Sequence, residues 1–158
     1  MVQTQTKQQV NTGDTITELV TFVLDGALYG IDILTVQEIN KLTDWTPVPH
    51  SDDFVLGILS LRGSIVTVID LREKLGIGRA AITANSRNVI VNWNDQGVGL
   101  FVDGIGDVTP IDWEEVCAPP ANVNGIQGRF FKGVLKTGTN LIAILNVDEV
   151  LQEIDLET

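Results

Sequence analysis

Ile65-Val66-Thr67-Val68-Ile69-Asp70-Leu71 and Leu141-Ile142-Ala143-Ile144-Leu145-Asn146-Val147 are two versions of one stretch, a constant 76 positions apart. Runs of β-branched and aliphatic residues this short favour strands. In the first copy Asp70 is placed to cap a short helix over Leu71–Leu75, which Gly76 then ends. Working outward, Gly57-Ile58-Leu59 matches Gly133-Val134-Leu135, and Leu75 matches Leu151. Farther upstream, Tyr29-Gly30-Ile31 through Val36, Glu38 and Ile39 matches Val98-Gly99-Leu100 through Ile105, Asp107 and Val108, now 69 positions apart. Thr46-Pro47 is matched with Thr109-Pro110. Elements in the same order in both halves mark an internal repeat, which constrains the fold more than any single segment does.

The first half supplies the element types. Leu19–Leu24 is a β-branched and aromatic run stopped by Asp25-Gly26-Ala27, and Leu28–Ile33 returns, so the pair reads as a hairpin. Ile33, Val36, Gln37 and Ile39-Asn40 follow a helical spacing and predict a helix of about two turns. Thr46-Pro47-Val48-Pro49 is extended, since each proline fixes its own φ and restricts the residue before it. Phe54–Leu61 and Ile65–Ile69 flank the tight Arg62-Gly63-Ser64 connection as a second hairpin, and 78–87 reads as loop. Residues 1–17 are rich in Gln and Thr, with too little apolar surface to offset ordering, and predict a flexible tail. The remainder divides into interleaved halves near 18–85 and 86–154, with 155–158 as a terminal end. Short strands with glycine turns favour closed sheets without exposed edges. The expectation is a mainly β chain with short helices: two five-stranded barrels related by a pseudo-twofold.

Composition narrows the function. The chain has 158 residues, 44% of them apolar, and a net charge of −11 from 10 Lys plus Arg against 21 Asp plus Glu. So acidic a surface repels phosphate backbones, which argues against nucleic-acid binding. One cysteine, Cys117, and one histidine, His50, argue against Cys/His nucleophiles and multi-ligand metal sites. No run of about 18 apolar residues and no charged-then-apolar amino terminus is present, so neither membrane insertion nor a secretory leader is expected. Asp32, Asp70, Asp103 and Asp107 do not have the spacing of a calcium loop. No metal, cofactor or catalytic group is expected. Cys117 has no basic neighbour to activate it and reads as inert.

Phe22-x-Leu24 followed by Tyr29-Gly30-Ile31-Asp32-Ile33-Leu34-x-Val36-Gln37-Glu38-Ile39 resembles the opening signature of the CheW-like chemotaxis coupling proteins. Gly57-Ile58-Leu59-Ser60-Leu61-Arg62-Gly63 resembles that family's hairpin, with Ser60 in place of its usual asparagine and Thr67 where proline is common. Ile69-Asp70-Leu71-Arg72, Val98-Gly99-Leu100-x-Val102-Asp103 and the closing strands continue the likeness over about 18–154. The resemblance implies two SH3-like barrels and a non-enzymatic cytoplasmic adaptor. Such an adaptor links methyl-accepting chemoreceptors to a histidine kinase beneath membrane receptor clusters. A variant reading keeps the fold in a type IV pilus or other non-flagellar pathway; a remote one is a small-ligand barrel. The resemblance also implies a groove between the barrels for the receptor's helical tip, and barrel ends for the kinase's regulatory domain.

Candidate residues follow, each with a structural alternative. Arg62, beside Gly63 at a hairpin turn, can offer up to about five donors to a receptor, or pair internally with Glu38; both can hold, and Glu38 is a receptor-contact candidate with it. Ile33 and Val36 are either core or one apolar wall of the receptor groove, and Ile105 and Val108 would supply the facing wall. Gly57 marks a tight backbone or the close approach of a partner. Trp45 and Trp113 flank the two Thr-Pro segments, cover barrel ends and are candidate kinase contacts.

Overall fold

The computed structural model describes residues 16–152. In chain order it forms β1 (Ile16–Leu24), β2 (Ala27–Asp32), a 3-10 turn at Ile33–Thr35, β3 (Val36–Asn40), β4 (Val55–Leu61), β5 (Ser64–Asp70) and helix α1 (Leu71–Leu75). The second half gives β6 (Arg87–Trp93), β7 (Gln96–Val102), β8 (Gly104–Asp112), a small β9–β10 hairpin (Asn122–Val123, Ile126–Gln127), β11 (Phe131–Thr137), β12 (Asn140–Leu145) and helix α2 (Val147–Leu151). Ile16 and Thr17, read from sequence as tail, belong to β1 and pair with Asp112 and Ile111. The rest of the expected tail, 1–15, and the end segment 155–158 lie outside the described residues.

Two five-stranded sheets carry the fold, as expected. One has the order β11-β12-β2-β1-β8, the other β4-β5-β7-β6-β3. Each strand takes the place of its repeat partner, down to the register. Ala143 and Ile144 pair in parallel with Tyr29 and Gly30, while Thr67 and Val68 pair in parallel with Val98 and Gly99. The halves exchange strands: β1 and β2 complete the sheet of β8, β11 and β12, and β6 and β7 complete that of β3, β4 and β5. Neither half has a complete sheet without the other.

The core has three parts. The largest lies between the sheets and joins Phe22, Tyr29 and Ile31 to Ile69, Val89, Val91 and Leu100. Smaller clusters fill the far face of each sheet: Leu19, Ile111, Leu135, Ile142 and Ile144 in the first, Leu59, Val68 and Phe101 in the second. The capped helices seal matching places. Asp70 accepts from the Glu73 amide, Asn146 accepts from the Glu149 amide, and Gly76 closes α1 at φ 84°.

Two further sequence expectations change. The helix over 33–40 is a single 3-10 turn followed by strand β3, whose residues alternate half-buried and exposed. Thr46-Pro47 corresponds to Cys117-Ala118 and not to Thr109-Pro110. Thr46 bridges Ile58 and Cys117 bridges Val134 in the same way, each beside a register shift before Gly57 or Gly133. Thr109 and Pro110 instead lie within β8, opposite Leu19 and Glu18.

Candidate functional site

Arg62 and Gly63 are the two central residues of the β4–β5 turn, both left-handed at φ 51° and 83°. That geometry matches the twist of the strands and suits glycine, so a non-glycine residue there costs about 1–2 kcal/mol. The repeat partner of Arg62 is Gly138, at φ 60°. Arg62 holds a strained position its counterpart concedes to glycine, a pattern associated with function. Its side chain is 83% exposed, and its Nη1 lies 3.3 Å from Oε1 of Glu38 on β3. Exposed pairs contribute about 0–1 kcal/mol, so this contact orients the guanidinium more than it stabilises the fold.

The pair stands on the rim of an open cleft of about 740 Å³. Val66, Ile90 and Gly97 lie at its apolar floor, while Gln37, Asn92 and Asp95 bring polar groups and Ile65 stands at 64% exposure. Gly97 keeps the cleft open. A Cβ there would already lie 3.0 Å from Val66, and its repeat partner is Leu28, which packs onto the outer cluster of the other sheet. On that side the Thr21 hydroxyl also donates to the Asp107 carbonyl at 2.6 Å.

The remaining candidates are spread out. Ile33 and Val36 are half-buried and pack on the central core, Val36 opposite Val91. Ile105 and Val108 lie exposed on β8, an edge strand of the other sheet, opposite Phe22 and Val20. Ile105 lines a separate depression with Arg87 and Asp103. Gly57 is buried, and its close approach is made by its own chain: a Cβ would sit 2.5 Å from the Thr46 carbonyl oxygen. It offers no surface to a partner backbone, which corrects that expectation. Trp45 packs edge-on against Phe101 at 5.3 Å, and the Trp113 indole N–H donates to the Thr17 hydroxyl at 2.7 Å, so both rings are fixed over the outer clusters. They are not repeat partners, because Val116 occupies the place of Trp45 beside Gly133.

Sequence reasoning gave no role to the cleft residues Gln37 and Gly97, nor to Asn88, a buried polar residue that opens the otherwise apolar run Asn88-Val89-Ile90-Val91.

The CheW-like domain family model matches residues 18–155. The chain belongs to the CheW-like family. Chemotaxis protein CheW of Treponema pallidum is 33% identical over 144 residues, covering 89% of this chain and 85% of that protein. Chemotaxis protein CheW of Bacillus subtilis is 28% identical, with 92% and 91% covered. The crystal structure of the scaffolding protein TtCheW from Thermoanaerobacter tengcongensis aligns with a TM-score of 0.80 at 36% identity, over 89% of this chain and 90% of that one. CheW-like membership makes the chain a chemotaxis adaptor. Among the described residues no helix is long and apolar enough to cross a membrane.

Proposed function

We propose that the chain couples chemoreceptor tips to a histidine kinase in the cytoplasm by binding alone, with no chemical step of its own. The observation that carries this reading is Arg62, 83% exposed on a left-handed turn and aimed by Glu38 at the rim of the cleft. A guanidinium presented this way can take a carboxylate or the carbonyls at a helix end from a receptor hairpin. Ile33, Val36, Ile105 and Val108 contribute apolar surface to the same partner, and the barrel ends under Trp45 and Trp113 meet the kinase's regulatory domain. Holding two partners at once converts weak contacts into an array, because each link raises the effective concentration of the next. Receptor state then biases the kinase through a coupling free energy of about 1–3 kcal/mol.

Arg62→Glu tests the assignment. Isothermal titration against a receptor cytoplasmic hairpin fragment and, separately, a kinase regulatory domain should show receptor affinity lowered about tenfold or more, with kinase affinity within about twofold. Unfolding free energy should change by less than about 1 kcal/mol, as for other exposed pairs. Unchanged receptor affinity, or equal loss for both partners, would overturn the assignment.

A further inference from the structure

We infer that Asn40 and Asn88 are positioning residues for the Arg62 contact, acting through a directional chain of side-chain hydrogen bonds. The inference rests on the reading of Arg62 given above. Asn88, on β6, is fully buried and sits directly opposite Asn40 of β3. Its Nδ2 donates to the Leu42 carbonyl at 2.6 Å and to Asn40 Oδ1 at 2.9 Å. Asn40 Oδ1 also accepts from the Leu42 amide at 3.1 Å. With two donors facing that oxygen, the Asn40 amide has one orientation: reversing it would turn N–H groups against N–H groups. Its Nδ2 is thereby directed outward and donates to Glu38 Oε2 at 3.1 Å. The other Glu38 oxygen, Oε1, faces Arg62 Nη1. Four side chains thus connect a buried amide to an exposed guanidinium.

The repeat shows that the fold does not require this chain. At the matching positions of the other sheet, Leu19 stands for Asn88 and Thr109 for Asn40, paired in the same register, with Gly138 at the place of Arg62. Leu19 is fully buried there. An aliphatic side chain therefore satisfies the architecture, whereas Asn88 leaves its buried Oδ1 without a partner among the described residues. An unpaired buried acceptor lowers stability. The amide is retained for the orientation it imposes on Asn40 and, through it, on Glu38.

Two variants separate orientation from folding. Asn88→Leu copies the residue the repeat already accommodates. Asn40→Asp keeps an oxygen for Asn88 and Leu42 but turns a carboxylate oxygen, in place of an N–H, toward Glu38. Titration of the full chain with a receptor hairpin fragment should show about three- to tenfold weaker binding for each, the range of coupled contacts. Neither variant should lose further affinity when combined with Arg62→Ala. The Arg62 Nε–H resonance should shift in Asn88→Leu, although the two side chains do not touch. Kinase-domain affinity and the urea midpoint serve as controls. If Arg62→Ala weakens receptor binding while Asn40→Asp and Asn88→Leu do not, the positioning role is overturned and the Arg62 contact stands. If the losses persist undiminished in the Arg62→Ala background, the residues act structurally and the inference fails. If Arg62→Ala itself has no effect, the reading of Arg62 falls, and the role of the chain falls with it.

Discussion

Gly57→Ala exerts its effect where two segments of one barrel meet. An alanine Cβ at this position would lie 2.5 Å from the Thr46 carbonyl oxygen, 2.8 Å from its carbon and 2.9 Å from Trp45 Cδ1. The first two are backbone atoms and the third belongs to a ring packed on Phe101, so the 45–46 segment must lift from β4. Lifting breaks the reciprocal bonds between Thr46 and Ile58, each 2.8 Å long. Two such bonds contribute about 0.5–1.5 kcal/mol each, and a side chain at φ +155° adds about 1–3 kcal/mol of strain. The expected loss is about 2–6 kcal/mol, a large share of the roughly 5–15 kcal/mol that holds a domain together. Gly63→Ala is the control. Its φ is +83° with nothing within 4 Å of the new methyl, so only left-handed strain of about 1–2 kcal/mol applies. Urea unfolding followed by tryptophan fluorescence gives both values, and near-ultraviolet circular dichroism reports the release of Trp45. The reasoning is refuted if alanine costs no more at Gly57 than at Gly63.

Asp103→Ala should cost about 1.5–3 kcal/mol, because one carboxylate oxygen accepts from Arg72 Nη1 at 3.0 Å and from the Asp25 amide at 2.8 Å. Leu34→Ala, at the matching crossover between sheets and 89% exposed, should stay within about 0.5 kcal/mol; equal urea midpoints would contradict the difference. Tyr29 gives a pH dependence. Burial pushes its phenol above the ordinary 10.0, the Asn124 hydrogen bond partly opposes this, and the charge of Asp25 adds to it. The unfolded chain then releases the proton first, so the contribution is complete below about pH 10 and is lost as pH rises through the native value. Tyr29→Phe should remove that alkaline decline in unfolding curves taken from about pH 8 to 11, and an unchanged decline would assign it to another group.

The strand pairs, the Asp70 cap and the repeat were legible because their apolar and capping patterns serve folding alone. Strand β3 was not. Val36, Glu38 and Asn40 share its half-buried phase, while Gln37 and Ile39 point outward. Two of the three inward places are polar because they carry the connection from Asn88 to Arg62, so the usual period-two apolar signal is absent and the leftover apolar spacing imitates a helix. Glu38 and Arg62 could be named from sequence, because Arg62 sits beside Gly63 on a hairpin turn and both residues fall in segments that resemble the family's signatures. The cleft could not, because it depends on Gly97 lacking a side chain where Leu28 has one. The Thr-Pro match failed for a related reason: similar dipeptides occupy a strand in one half and a bridge segment in the other.

A duplicated fold offers two equivalent surfaces, and an adaptor between different partners needs them unlike. The differences here fall on few positions. Gly97 opens a cleft that Leu28 closes, Arg62 replaces Gly138 on the turn, and Asn88 replaces Leu19 beneath it. Asp103 bears an ion network where Leu34 stands bare. At Arg62 and Asn88 one half departs from what packing alone would accept, at a cost in strain or unpaired polarity that its counterpart does not bear. The chain crosses from one sheet to the other within each half, and the central core packs between the sheets, so both the connections and the packing tie the two surfaces together. On the proposed reading, partner discrimination resides in the asymmetric side chains, and their relative geometry in the symmetric backbone. Substitutions at Gly97, Arg62 or Asn88 should alter which partner binds, whereas substitutions at paired glycines such as Gly57 and Gly133 should weaken both bindings together through stability.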